Sequence, residues 1–220
     1  MTDIPHEFSA VHREIGDYPV ATGAGRSLML RRPYDAPIED VWHACTTPER
    51  LGRWLAPVTG DLAPGGTFQV EGQASGKILT CQEPHLLKVT WEYGPDSVTE
   101  VELRLAENTD GGTILELRHT SPTETVDEIV ARMGPVGPIG IGGDWDLALL
   151  GLGRLLLKPD FDTTRWRETP EAREFAIRSY HAWGAASQPV WGIDDDDIAT
   201  VVNFAVQQFS PGPQNSPTDR

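Results

Sequence analysis

From Thr59 to Ser121 the chain is written in a period of two. Phe68 and Val70 alternate with Gln69 and Glu71, and Ile78 and Thr80 with Leu79 and Cys81. Val89, Trp91 and Tyr93 share a side opposite Lys88, Thr90 and Glu92. Val101, Leu103 and Leu105 oppose Glu100, Glu102 and Arg104, and Leu115, Leu117 and His119 oppose Glu116 and Arg118. Polar, Gly- or Pro-bearing turns separate the runs at Glu83-Pro84-His85, Gly94-Pro95-Asp96 and Asn108 to Gly112. Successive side chains on a strand point to opposite faces, so short alternating strands joined by tight turns fold as an antiparallel meander with one apolar and one wet face. Arg26 to Tyr34 repeats the pattern, with Leu28, Leu30 and Tyr34 on one side and Met29 and Arg31 on the other.

Such a sheet needs something to cover its apolar face. The segment WDLALLGLGRLLL, after Asp144 and ending at Lys158-Pro159, is too short to span a bilayer and reads as a nearly fully buried helix capped by Asp144. Gly151 and Gly153 cost it helix propensity, which implies close approach of another element or room left for something else. Two short helices precede the meander. Pro37 opens the first, with Val41, Trp42 and Cys45 at helical spacing, and Thr47 caps the second, with Leu51, Trp54 and Leu55 as its stripe. The pattern predicts an α+β fold in which a curved sheet curls around the long helix. Residues 1–25 read as a loosely packed N-terminal arm and 26–158 as the domain itself. Residues 159–209 read as an extension of two helices, one from Pro170 to Gly184 and one carrying Ile198, Val201, Val202, Ala205 and Phe209, with 210–220 as a disordered tail. Thr123 to Met133 reads as a short helix and Gly134 to Gly143 as a Gly/Pro loop.

Charge narrows the partners. Asp plus Glu number 33 against 18 Lys plus Arg, a formal net charge of -15. Nucleic-acid phosphates and anionic membrane surfaces both call for a basic face, so neither is expected. No run of about 18 apolar residues occurs, and MTDIPHEF has neither the basic start nor the apolar stretch of a secretory signal. The two cysteines, Cys45 and Cys81, are too few for a disulfide framework and read as reduced thiols, with a cytoplasmic location as the default. A homodimer or a protein partner is left open.

The segments APIEDVW (Ala36 to Trp42), TTPERLGRW (Thr46 to Trp54), GDLAPGGTF (Gly60 to Phe68), GKI (Gly76 to Ile78), EPHLLKVTW (Glu83 to Trp91) and GGTILELRHT (Gly111 to Thr120) carry a resemblance. Their order and spacing resemble the START-like proteins of the Bet v 1-type (SRPBCC) superfamily, on the branch named for homologues of the activator of Hsp90 ATPase. GGDWDLALLGLGRLL and SYHAWG are similar to the C-terminal extension of a bacterial subset. The resemblance implies a helix-grip fold, an antiparallel sheet wrapped around a long C-terminal helix with a cavity between them. It also implies apolar ligands such as sterols, lipids or polyketides. Some members are cyclases or hydrolases, and no catalytic set common to them can be carried over.

Candidate wall residues of that cavity are Leu30, Phe68, Ile78, Trp91, Tyr93, Leu103, Leu117, His119, Trp145, Leu149 and Leu152. Binding would work by enclosure of apolar area, with one or two polar groups fixing orientation. His119 and Tyr93 close inward-facing rows, so either could orient a ligand or assist a cyclisation, dehydration or hydrolysis. Arg32 falls on the inner face and needs a carboxylate partner, a rim position or a ligand carboxylate. Val41, Trp42, Leu51 and Trp54 read as core, and His181 as a solvated helix position. The loop GPVGPIGIGGD suits a flexible cavity entrance better than a phosphate site, since two prolines remove amides and Asp144 adds negative charge. Asp194 to Asp197 lacks calcium-loop spacing and reads as a helix start, and no HExxH or GxSxG occurs. No cofactor or metal is expected. The readings that remain are an apolar-ligand binder, an enzyme using a cavity His or Tyr, and a co-chaperone-like interaction protein.

Overall fold

The computed structural model describes residues 4–94 and 97–209, with the side chains of 4, 208 and 209 excepted. Pro95 and Asp96 of the expected turn and the expected tail 210–220 lie outside the described residues. Eight antiparallel strands form one sheet: β1 (His12–Asp17), β2 (Gly25–Tyr34), β3 (Val58–Gly60), β4 (Thr67–Val70), β5 (Ala74–Gln82), β6 (Leu86–Gly94), β7 (Ser97–Glu107) and β8 (Thr113–Pro122). Their order across the sheet is β1-β2-β8-β7-β6-β5-β4-β3. The helices are α1 (Ile4–Ser9), α2 (Ile38–Thr46), α3 (Pro48–Trp54), α4 (Thr123–Met133), α5 (Val136–Leu157), α6 (Thr163–Arg167), α7 (Pro170–Trp191) and α8 (Asp195–Phe209). This is the helix-grip fold, with α5 in the grip of the sheet. Among the described residues no helix is long and apolar enough to cross a membrane.

Register places the alternating residues in rows. Leu30 pairs with Leu117, Leu117 with Leu103 and Leu103 with Leu87, so one leucine row crosses β2, β8, β7 and β6 on the inner face. The next row runs Leu28, His119, Val101, Val89 and Ile78. Because side-chain period is two, this register fixes which residues face α5.

Several expectations are corrected. Within the expected loose arm 1–25, the described residues from Val11 on are packed. β1 pairs with β2 from His12↔Arg31 to Asp17↔Arg26, and Val11, Ile15 and Val20 are buried. The chain after β1 then crosses the outer face of the sheet. There Tyr18 Oη donates to Glu102 at 3.2 Å and the Ala21 amide to Glu100 at 2.8 Å. Glu100 and Glu102, outward by alternation, are therefore buried rather than wet, with Lys88 and Arg104 as ion-pair partners at 2.7 Å each.

Gly134 to Gly143 is not a loop, and Asp144 is not a cap: α5 begins at Val136 and runs through both. Pro138 sits in the first turn, where no amide hydrogen bond is required of it. The glycines serve packing. A Cβ on Gly142 would come within 2.5 Å of the Trp183 ring, and one on Gly143 within 2.1 Å of the Tyr180 ring. Thus α7 lies against the outer side of α5 while the sheet covers the inner side, which explains a helix apolar all round. Gly153 makes room for the Tyr34 ring at 3.2 Å from an added Cβ, and Tyr34 Oη donates to the Leu149 carbonyl at 2.8 Å. Thr47 precedes α3 but accepts no capping bond; its hydroxyl donates back to the His43 carbonyl at 2.7 Å. Asp194 does cap α8, accepting from the Asp197 amide at 2.8 Å.

Candidate functional site

The inner rows of the sheet do not meet α5 along its whole length. Around Leu149 and Leu152, α5 is packed solidly, and both leucines and Leu30 are fully buried core rather than cavity wall. Toward β3–β6 the sheet curves away, and α2 and α3 bridge the gap. A cavity of about 120 Å³ remains there. Phe68, Ile78, Trp91, Leu103, Leu117 and Trp145, six of the expected wall residues, line it together. Leu51, Trp54 and Leu55 of the α3 stripe, expected as core, also line it, as do Cys45 and Cys81. A helical stripe looks the same whether it meets side chains or a void, so sequence could not separate the two.

The walls are almost wholly apolar, and two of their indole N–H groups are already bonded. Trp54 Nε1 donates to the Ala44 carbonyl at 2.9 Å, and Trp145 Nε1 donates to His119 Nδ1 at 3.0 Å. Burial pushes the Cys45 thiol up to about 12, so it stays neutral. What the cavity offers is ring surface: Trp91 and Trp145 have centroids 5.3 Å apart at 59°, and Phe68 lies 6.3 Å from Trp91.

His119 faces inward as the alternation requires and is 2% exposed, but it does not line this cavity. Since Trp145 donates to Nδ1, the proton sits on Nε2, which donates to Thr99 Oγ1 at 2.8 Å. Thr99 Oγ1 in turn donates to the Trp91 carbonyl at 2.8 Å. Burial lowers the His119 pKa to about 4. With both ring nitrogens engaged and the ring held neutral, His119 is fixed as a structural link rather than a free base.

Tyr93 is expected to point inward but is 49% exposed. It stays on that face but at its rim, where the pairing of β6 with β7 is irregular between Glu92 and Gly94. It stacks on His119 there, centroids 6.2 Å apart and 14° between planes. Arg32 is buried with Glu7 of α1 as its ion-pair partner, so the chain itself supplies its carboxylate.

A second space of about 440 Å³ adjoins the first, with Leu55, Trp91 and Trp145 as walls common to both. It is an open cleft whose polar lining includes Tyr93, Gln73, Asp144 and Arg167. Asp144 remains accessible to solvent, yet the protein around its carboxyl raises the pKa to about 6, with Arg167 pulling the other way. Arg167 is anchored by donating to the Trp54 carbonyl at 3.0 Å. Asp144 stood in the sequence only as a helix cap, and Arg167 had no signal, because α6, which carries it, has no apolar stripe to announce it.

The fold agrees with that of similar proteins. The family model described as "Activator of Hsp90 ATPase homolog 1-like protein" matches residues 35–146, just over half of the chain. The crystal structure of CalU16 from Micromonospora echinospora is 35% identical, covers 80% of this chain and 98% of its own, and superposes with a TM-score of 0.64. Its solution NMR structure, at 34% identity, covers 82% and 96% with a TM-score of 0.67. A conserved protein of unknown function, EF2215 from Enterococcus faecalis, shares the fold at 15% identity, covering 88% of each chain with a TM-score of 0.52. No curated protein matches the chain. The chain belongs to the family of activator of Hsp90 ATPase homolog 1-like proteins.

Proposed function

We propose that the protein binds a small apolar or aromatic molecule in the cavity between the sheet, α2, α3 and α5. One observation carries this reading: an apolar cavity of about 120 Å³, partly open to solvent, is walled by Trp54, Phe68, Trp91 and Trp145. Protein interiors are close-packed, and an unfilled apolar space forfeits dispersion contacts, so a cavity of this kind is costly unless something occupies it. Apolar cavities of about 150 Å³ hold a benzene-sized guest. The cavity is thus scaled for one ring or a short chain, and a larger ligand must extend into the adjoining cleft.

An acid–base role for His119 draws no support from its saturated ring nitrogens. The family name supplies no function by itself, because one fold hosts many activities.

Titration of ethylbenzene, followed by calorimetry and by tryptophan fluorescence, tests the reading. Saturable binding is expected in the wild type and its loss in Val101→Phe, which places a ring in the void. Retained affinity in Val101→Phe, with its thermal unfolding unchanged, would locate binding elsewhere. Native mass spectrometry of protein from its own host then identifies the physiological ligand.

A further inference from the structure

We propose that the cleft over the cavity selects an amphipathic ligand whose head is a neutral donor–acceptor group, in the first instance a hydroxylated aromatic, with its ring against Leu55, Trp91 and Trp145 and its oxygen between Asp144 and Arg167. The proposal rests on the cavity-binding reading and adds the chemistry of the ligand's polar end.

Three observations carry it. The cleft, about 440 Å³, borders the cavity at Leu55, Trp91 and Trp145, so it is the space nearest to a molecule that outgrows 120 Å³. The shared walls are two indoles and a leucine, while Asp144 and Arg167 add charged groups to the cleft's lining. Asp144 and Arg167 line the same cleft, yet among the described residues neither makes an ion pair within 4.0 Å. A cation and a carboxylate that sense each other without meeting leave room for a group that accepts from one and donates to the other.

Charge decides which head fits. An anion placed on Arg167 would lie beside the Asp144 carboxylate, and an ammonium placed on Asp144 would lie beside the Arg167 guanidinium. Both are penalised by like-charge repulsion in a site of reduced dielectric. A phenolic hydroxyl donates to the carboxylate and accepts from the guanidinium without adding net charge, and each bond is charge-assisted. The groups that bear on Asp144 are Arg167 from α6, Tyr93 from β6 and Tyr180 from α7. Of these, Arg167 alone carries a charge at neutral pH, so protonating Asp144 leaves the cleft with one net positive charge.

The test compares four probes of one size by calorimetry at pH 7.5: ethylbenzene, 4-ethylphenol, 4-ethylbenzoate and 4-ethylbenzylamine. The wild type is expected to bind 4-ethylphenol at least tenfold tighter than ethylbenzene, and the two charged probes no tighter than ethylbenzene. In Asp144→Ala and in Asp144→Asn the benzoate should gain at least tenfold and the phenol should lose most of its advantage, with ethylbenzene unchanged within twofold. The wild type at pH 5 should move toward the same pattern. If ethylbenzene binds and the phenol shows no preference, or if the benzoate gains nothing in either variant, the selectivity proposal is overturned while the cavity reading stands. If ethylbenzene itself fails to bind the wild type, both fall together.

Discussion

His119 shows how much of a site a single alternation can locate and how much it cannot. Its place after Leu115 and Leu117 puts it on the inner face, and the structure agrees. Its partners were not legible, because the register of β7 on β8 sets Val101 opposite and Thr99 diagonally beside it, and Trp145 arrives with the docking of α5. Tyr93 obeys the same rule, since it stacks on His119, but it stands at the rim of that face, where β6 pairs irregularly with β7. The buried neutral ring makes stability depend on pH. In the unfolded chain His119 takes its proton near 6.5, and in the fold only near 4. The neutral-state contribution is therefore fully present above pH 6.5 and is lost as pH falls toward 4, where the unfolded chain binds the proton first. The shift corresponds to about 3 kcal/mol. Asp144 runs the opposite way, favouring its protonated form in the fold, so the measurement belongs in an Asp144→Asn background. Urea unfolding from pH 7.5 to 4.5 should show a steep loss that His119→Gln flattens. An unchanged slope in that variant would assign the loss to other groups.

At the level of elements, the strands were readable and the helix start was not. Strand positions repeat a two-residue code that turns punctuate, and the expected strands from Arg26 to His119 fall inside β2 and β4–β8. The run GPVGPIGIGGD carries every local sign of a loop, yet from Val136 on it forms the first turns of α5. Tertiary packing overrides propensity here, since the glycines exist to admit the α7 rings. That argument separates two substitutions that propensity alone treats alike. Gly137→Ala, with nothing within 4 Å of an added Cβ, should stabilise by about 0.5–1 kcal/mol. Gly143→Ala should instead destabilise by about 1–3 kcal/mol, because its Cβ overlaps the Tyr180 ring. Pairing it with Tyr180→Leu should recover part of that loss, a coupling that a double-mutant cycle in urea would measure. Additive effects would mean that the two side chains do not compete for the same space.

At the level of the molecule, one buried carboxylate joins the parts of the chain that lie outside the sheet–helix grip. Asp146 of α5 is 1% exposed and accepts from Arg13 Nε of β1 at 2.6 Å, from Trp183 Nε1 of α7 at 3.1 Å and from the Ser179 hydroxyl. A charge at this depth is tolerable only while its partner remains, so either half alone is a liability. The N-terminal strand and the C-terminal helices are thus tied to α5 through the same oxygen. α7 also covers the side of α5 where Gly142 and Gly143 sit, and α6 holds the end of α3 through Arg167 and the Trp54 carbonyl. Asp146→Ala should cost about 3–5 kcal/mol by stranding Arg13. The double variant Arg13→Met/Asp146→Leu removes both charges, and should regain most of that loss because apolar side chains of similar size satisfy a dry interface. A chain ending at Lys158 exposes the outer face of α5 and strands Asp146 and Arg13 without Ser179 and Trp183. It should bind ANS and lose its cooperative thermal transition. Should the shortened chain unfold cooperatively at the wild-type temperature, α6–α8 would be an appendage to the grip. The two buried indole and phenol rings against α5 argue that they are its outer layer.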